Sequence, residues 1–493
     1  MVYQEDNINP GGRSRLWNQA EAKDVFEENK GTEKVEVLNL PYIRKKSSSC
    51  FTRKTFEKLS NLRYLRVEGA AFVGDFEHCL SGLRWLCWKD CPYRFEATNF
   101  HMKNLVILEL SYSSGTPNDW NNWSQIMMSK KLKVLNLSNC GLMRRTPNFS
   151  TYTTLEVLNL ENCERLDEID PSIGTMKNLK VLNLKYTVIR SLPDGIWELE
   201  KLEVLDASFC HNLEGKIPSC IGRLSYLREL SLNETKIQSL PTNICDLLCL
   251  QTLNLEKCDA LRELPDPPSS LKILNVVTSL RDRNFSVIPN NLANLVNLQE
   301  LRFSWRIRTL PKELDALSQL KILTIRACTD LQCILGLPPK LVELHIGYCE
   351  LLENLPDLSN LKFLLKLKFE RCCALREIQG FGKLQSLTSL TINGCWKLTQ
   401  IQGLGNLESL SSLNISECHE VTELNLLECS ASVAVTVSNL KKLKSFEVIS
   451  CWNLNKIQGL DRLVSLEYLN VGYCGSIVGL PNLSNFKMLR LGY

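Results

Sequence analysis

Residues 155–166 read LEVLNLENCERL. Leu155, Leu158 and Leu160 are followed by Cys163. The frame L-x-x-L-x-L-x-x-C returns from Leu132, Leu202, Leu250, Leu320, Leu341, Leu364, Leu387, Leu410 and Leu466. Looser copies start at Leu62, Leu83, Leu105, Leu179, Leu227, Leu271, Leu298 and Leu443, eighteen copies in all. Steps of 23 residues dominate, within a range of 21 to 33.

This period and spacing are those of a leucine-rich repeat. Strand side chains alternate between faces, so positions four and six of the frame share one face. Leu158 and Leu160 are therefore expected to point inward, and Asn159 and Glu161 to lie on or near the open face. One repeat cannot bury its apolar side alone; stacked copies bury it against one another. The expected fold is α/β: a leucine-rich-repeat solenoid, a curved horseshoe with a parallel β-sheet on the concave face. Short helices, 3-10 turns or loops belong on the convex face. Pro193 and Pro241 stand just before short apolar-periodic stretches, where proline suits the entry to a helical turn.

The ninth slot holds twelve of the 21 cysteines, Cys91, Cys140 and Cys163 among them. A buried thiol is a small apolar group with weak hydrogen-bonding capacity. A structural ladder is thus the expected role, not disulfides or metal. No C-x-x-C pair occurs; Cys87 with Cys91, and Cys245 with Cys249, are spaced four apart without histidine.

Composition bounds the function. Of 493 residues, 44% are apolar and 23% charged, which is the globular range, so disorder is not the default reading. The net charge of +4 is too small for a general phosphate track. No run of about 18 apolar residues marks a membrane span. The opening MVYQEDNINPGGRSRLWNQ carries no apolar stretch of the signal-peptide kind. A reducing compartment, cytoplasmic or nuclear, is expected, where disulfides are rare.

The frame breaks in places. Residues 1–34 precede the first strand-like VEVLNL. Longer steps insert Tyr112–Lys130, with Trp120 and Trp123, a segment with RDRNF, and SASVAVTVS. Insertions in repeat stacks gather on one face and are candidate contact loops. The chain stops at FKMLRLGY, at the start of a further repeat, as expected of part of a longer design.

RSRLW (Arg13–Trp17) with DVFEENKGTEKVEVLNL (Asp24–Leu40) resembles the segment that joins nucleotide-binding module to repeats in plant TIR-NB-ARC-LRR disease-resistance proteins. FVGDFEHCLSGLRWLCW (Phe72–Trp88) and NDWNNWSQIMMSKKLKVL (Asn118–Leu135) are similar to the flax rust-resistance branch, within a class that includes tobacco N-like receptors. The resemblance implies that 1–34 is a remnant linker from the winged-helix region and that 35–493 are repeats. It also implies an intracellular immune receptor whose repeats recognise a pathogen effector or host partner and restrain a nucleotide-binding switch. No G-x-x-x-x-G-K-[ST] loop and no TIR domain are present, so nucleotide binding transfers to no residue here. No cofactor is expected in this chain.

The open face suggests two surfaces. The fifth-position row runs Asn136, Asn159, Asn183, Asp206, Ser231, Asn254 and Asn275, then changes to Arg302, Thr324, His345 and Lys368. With Trp305, Arg326, Tyr348 and Arg371 nearby, the set Arg302, Trp305, Arg326, His345, Tyr348, Lys368 and Arg371 is a candidate partner-binding patch, since aromatics and arginine are enriched in hot spots. Tyr64, Arg66, Arg84 and Trp85 form a second set; the resemblance implies that early repeats face the receptor's own nucleotide-binding module. Partners are therefore proteins, not nucleic acid. An alternative is the extracellular ligand-binding region of a plant receptor-like protein, because LEGKIPSCIGRL (Leu213–Leu224) resembles the extracellular plant repeat and N-x-[ST] sequons occur. No Ser/His/Asp set, paired carboxylates or metal spacing suggests an enzyme.

Overall fold

A computed structural model describes residues 5–6, 9–42, 50–92, 96–113, 129–279, 292–427 and 439–479, and the backbone of 488–492. The stretches with Trp120 and Trp123, RDRNF and SASVAVTVS lie outside the described residues. The chain divides into two compact units, Met1–Leu250 and Gln251–Tyr493.

In the first unit the frame becomes a ladder of parallel strands, among them Tyr64–Glu68, Trp85–Lys89, Val134–Asn136, Val157–Asn159, Val181–Asn183 and Val204–Asp206. Register follows the sequence frame: Leu158 pairs with Leu135 and Leu182, and Leu182 with Leu205. Leu155, Leu158, Leu160 and Cys163 are all fully buried. The ladder begins earlier than the eighteen copies suggest. Strand Val37–Tyr42 precedes Tyr64–Glu68, and Arg15–Leu16 pairs in parallel with Val37 and Leu38. Hence RSRLW, expected to be linker, supplies a short strand of the sheet. The helix Gln19–Glu27 follows, capped by Asn18, whose Oδ1 accepts from the backbone N–H of Ala20 and Glu21.

Opposite the strands run short 3-10 turns: Pro171–Thr175, Asp194–Glu198, Ser219–Arg223 and Thr242–Asp246. Pro193 and Pro241 stand at the caps of two of them. Only five residues are available between each cap and the next leucine run, too few for a cooperative α-helix, so bonds of the i→i+3 kind close them. Ile173, Ile196, Ile221 and Ile244 anchor the turns in the core.

The second unit repeats the plan with parallel strands including Ile273–Val276, Glu300–Phe303, Ile322–Arg326, Glu343–Gly347, Lys366–Glu370, Ser389–Asn393 and Ser412–Ser416. Many of these are five residues long where those of the middle first unit are three. A local competition accounts for the short ones. Asn136, Asn159, Asn183 and Asp206 accept, on side-chain oxygen, the backbone N–H two residues on, at 2.9–3.0 Å. That N–H, at position seven, leaves the ladder, and the carbonyl at position six of the preceding repeat loses its donor.

The cysteine supplies it. Cys140 Sγ donates to the Leu110 carbonyl at 3.4 Å, Cys163 to Leu137 at 3.1 Å, and Cys210 to Leu184 at 3.1 Å. Where strands run to position seven, the equivalent contacts of Cys372, Cys418, Cys451 and Cys474 lengthen to 3.6–3.9 Å. Ser113 and Thr235 replace the cysteine in two copies and donate to the position-six carbonyl of their own repeats. Among the described residues every cysteine is a free thiol. Burial pushes the Cys91 thiol well up; at Cys451, the hydrogen bond with Cys418 and burial push it to about 12. These groups stay protonated at neutral pH.

Candidate functional site

A second regularity shapes the open face. The eighth slot of the frame adopts a left-handed backbone in Asp90, Tyr112, Asn139, Asn162, Tyr186, Phe209, Glu234, Lys257, Ala327, Tyr348, Arg371, Glu417, Ser450 and Tyr473, with φ from 48° to 61°. This turn swings the chain off the strand and carries the next residue, the ladder cysteine, inward. It leaves the eighth side chain at the margin of the open face. Tyr348 and Arg371 fill that slot in consecutive repeats, and Arg326 ends the strand before them.

The three converge. The Arg326 guanidinium carbon lies 5.0 Å from the Tyr348 ring centroid, and that of Arg371 lies 5.9 Å from it. Beside them His345 pairs in register with Lys368, and Gly347 with Glu370. Glu370 joins the cluster: its Oε2 is 2.9 Å from His345 Nε2, and its Oε1 is 3.0 Å from Lys368 Nζ. Burial disfavours the Glu370 anion, but the Lys368 hydrogen bond and charge outweigh this and hold the carboxyl below its usual range. Burial, then the Lys368 charge, hold the His345 imidazole below its ordinary value, with Glu370 acting against them. Gly347 makes room: a Cβ there would stand 3.0 Å from His345 Nε2 and 3.3 Å from Glu370 Cβ.

Two expected members behave differently. Arg302 is held by Glu300 two residues before it on the same strand. Trp305 is not on the open face: it is fully buried, stacked on Phe303 with centroids 3.9 Å apart. The reason is readable in its repeat. The ninth slot holds Arg306, which turns out to pair with Asp330 at 2.8 Å. Trp305, in the eighth slot, forgoes the left-handed turn and packs into the core beside it. The large, charged Arg306, where most other repeats carry Cys, Ser or Thr, was the signal. The patch is therefore Arg326, His345, Tyr348, Lys368 and Arg371 around Glu370, with Arg302 at its edge. The fifth-position row beyond it is less open than expected: Ser231 and Asn275 are buried, and the asparagines are turned onto their own backbone.

In the first unit, Tyr64 and Trp85 meet edge to face at 4.8 Å, and Trp17 stacks obliquely on Tyr64 at 5.3 Å. Trp85 Nε1 donates to Glu109 Oε1 at 3.0 Å, and Arg66 pairs with Glu68 at 3.6 Å. Arg84 precedes the strand and is exposed. Trp17, Trp85 and Tyr64 thus form a half-exposed aromatic run. Trp17 was not among the expected residues, because its segment did not read as part of the sheet.

The sequence profile "Leucine-rich repeat region" matches residues 200–344, and "Leucine rich repeat" matches 153–211. The fold is a leucine-rich-repeat solenoid. It is 28% identical over 218 residues to the TMV resistance protein N of Nicotiana glutinosa, covering 44% of this chain and 18% of that one. It is 27% identical over 374 residues to the disease resistance protein RPS4B of Arabidopsis thaliana, covering 69% of this chain and 29% of that one. The match thus spans less than a third of either relative. Among solved structures, a leucine-rich-repeat protein of Leptospira interrogans has a TM-score of 0.52 at 21% identity, covering 82% of this chain and 94% of that one, a likeness of fold. The repeat stack is accordingly a protein-interaction fold, similar to part of plant disease-resistance proteins. Among the described residues no helix is long and apolar enough to cross a membrane, and no group of three or more His, Cys, Asp or Glu is placed to hold a metal.

Proposed function

We propose that this chain is the recognition module of an intracellular plant immune receptor. In this reading it binds a pathogen effector or host protein on the open face of residues 322–371 and, through its early repeats, restrains a nucleotide-binding switch. The observation that carries it is the Arg326–Tyr348–Arg371 cluster, an aromatic ring flanked by two cations on an otherwise self-satisfied polar face. Aromatic and arginine side chains of this kind dominate interface energies. The resistance-protein relatives support the setting, and a ladder of free thiols is consistent with a reducing compartment. The Trp17–Tyr64–Trp85 run, with Arg66 and Arg84, is the surface for the receptor's own nucleotide-binding module.

Cross-linking mass spectrometry on the tagged full chain, expressed in plant tissue, tests the reading. Cross-links to a protein partner should concentrate at Lys366 and Lys368 and vanish with Tyr348→Ala. Cross-links spread evenly over both faces would sink it. Co-purification with a nucleotide-binding module of the receptor class should be lost in a Tyr64→Ala/Trp85→Ala double variant; retention would remove the early repeats from the proposal.

A further inference from the structure

The cations of the open face in the second unit are not equivalent. Arg302 is paired with Glu300, Lys366 with Glu343 at 2.7 Å, and Lys368 and His345 both with Glu370. Among the described residues, Arg326 and Arg371 make no ion pair, although both are part of the same strand-and-turn framework. Each guanidinium instead lies close to the Tyr348 ring, which orients it and leaves its five N–H donors without a carboxylate. Gly347, at the seventh position of the repeat between them, carries no side chain to cover the space.

We infer that Arg326 and Arg371 receive the carboxylate side chains of an acidic segment of a partner protein, laid across the Tyr348 ring. This rests on the reading that the open face binds a protein, and deepens it by stating the partner's chemistry. Three physical points support it. A planar guanidinium forks onto a carboxylate with two parallel hydrogen bonds. Two unpaired cations set around one aromatic ring repel each other, so a bound anion lowers the energy of the free face. Glu370 is engaged by His345 and Lys368 and makes no ion pair with either arginine. A phosphate backbone is a poorer match: among the described residues of the patch only two cations lack an ion pair, and Glu300, Glu343 and Glu370 lie along the same face.

The test uses the full chain and a fluorescein-labelled octapeptide rich in glutamate, followed by fluorescence anisotropy. Its neutral glutamine counterpart, a phosphoserine peptide and a single-stranded oligonucleotide serve as competitors. The wild type should bind the acidic peptide saturably, and raising salt from about 50 to about 300 mM should weaken it several-fold. Arg326→Gln/Arg371→Gln should raise Kd at least about tenfold, the loss of about two charge-assisted contacts. Arg326→Lys/Arg371→Lys should fall between, keeping charge but losing the fork. Lys177→Gln, removing a cation already paired with Glu198 away from the open face, should stay within about twofold of wild type. An unchanged thermal melt for each variant shows that the fold is intact.

Absence of saturable binding by the wild type, or equal affinity of the double glutamine variant, overturns the inference. So does a phosphopeptide or the oligonucleotide binding at least about tenfold more tightly than the glutamate peptide, because the site would then be one for phosphate. If the peptide fails while partner cross-links still depend on Tyr348, the acidic assignment falls and the protein-binding reading stands. If the cross-links also fail, both fall.

Discussion

At the scale of the residue, the middle repeats of the first unit solve the same two hydrogen-bonding problems. The strand must end, and a carbonyl at position six must not be left bare. An asparagine at position five ends it by taking the next N–H but one, and the cysteine thiol covers the carbonyl. Cys163→Ala should therefore cost about 1–3 kcal/mol, combining a lost sulfur with an uncovered carbonyl, measured by urea denaturation. A cost near zero would show that the thiol merely fills space. The His345–Glu370 pair carries a pH signature. The folded-state pKa of His345 is held below its ordinary value, so the fold favours the neutral ring. Its contribution to stability is present above the ordinary histidine pKa and is lost as pH falls through the folded value. Glu370→Gln removes the one anion that pulls this pKa up, so the His345 ring should titrate at still lower pH in NMR; an upward move would contradict the assigned causes.

At the scale of the element, the leucine frame and the convex turns set the packing. Leu158 is fully buried in register between Leu135 and Leu182, and Leu158→Ala should cost roughly 2–5 kcal/mol by denaturation. On the other side, Gly174 and Gly195 let two 3-10 turns touch backbone to backbone. A Cβ on Gly195 would lie 2.6 Å from the Pro171 carbonyl oxygen and 2.9 Å from Gly174 N. Gly195→Ala should therefore lower stability by about 1–3 kcal/mol through overpacking, whereas Gly141→Ala, with nothing within 4 Å, should change it by less than about 0.5 kcal/mol. Equal effects at the two sites would refute the close-approach argument. The strands and their buried positions were legible from the leucine spacing alone, because a period-two pattern admits one inward face. Arg15–Leu16 escaped notice because two residues carry no period, and only pairing with Val37 and Leu38 reveals them.

At the scale of the whole molecule, the chain behaves as stacked local units whose stability is close to a sum of neighbour terms. Its thiols give a readout of that stacking. Cys50, Cys245 and Cys249 are exposed, while the ladder cysteines from Cys91 to Cys451 are buried. Iodoacetamide under native conditions should label the exposed three first, and the ladder only once denaturant opens the repeats. Mass spectrometry that found ladder thiols modified at the same rate would show the stack to be open in solution. The candidate patch was partly readable at this scale. Arg326, His345 and Lys368 share one face by strand alternation, while Tyr348 and Arg371 reach its margin through the left-handed turn of the eighth slot. Trp305 does not, and Glu370 proved central, because neither burial nor pairing is a property of spacing.

What the sequence determined by itself is the repeat: its period, its inward leucines, the cysteine slot and the parallel sheet. Each follows from side-chain alternation and from the need of each copy to bury its apolar side against the next. The tertiary structure alone decided which polar groups satisfy one another. It turned the fifth-position asparagines onto their own backbone, drew Trp305 inward where Arg306 fills the ninth slot, and spent Glu370 on His345 and Lys368. Arg326 and Arg371 were thereby left unpaired around Tyr348. Those outcomes depend on distances between residues some twenty positions apart in sequence, and only the stacking of repeats sets such distances.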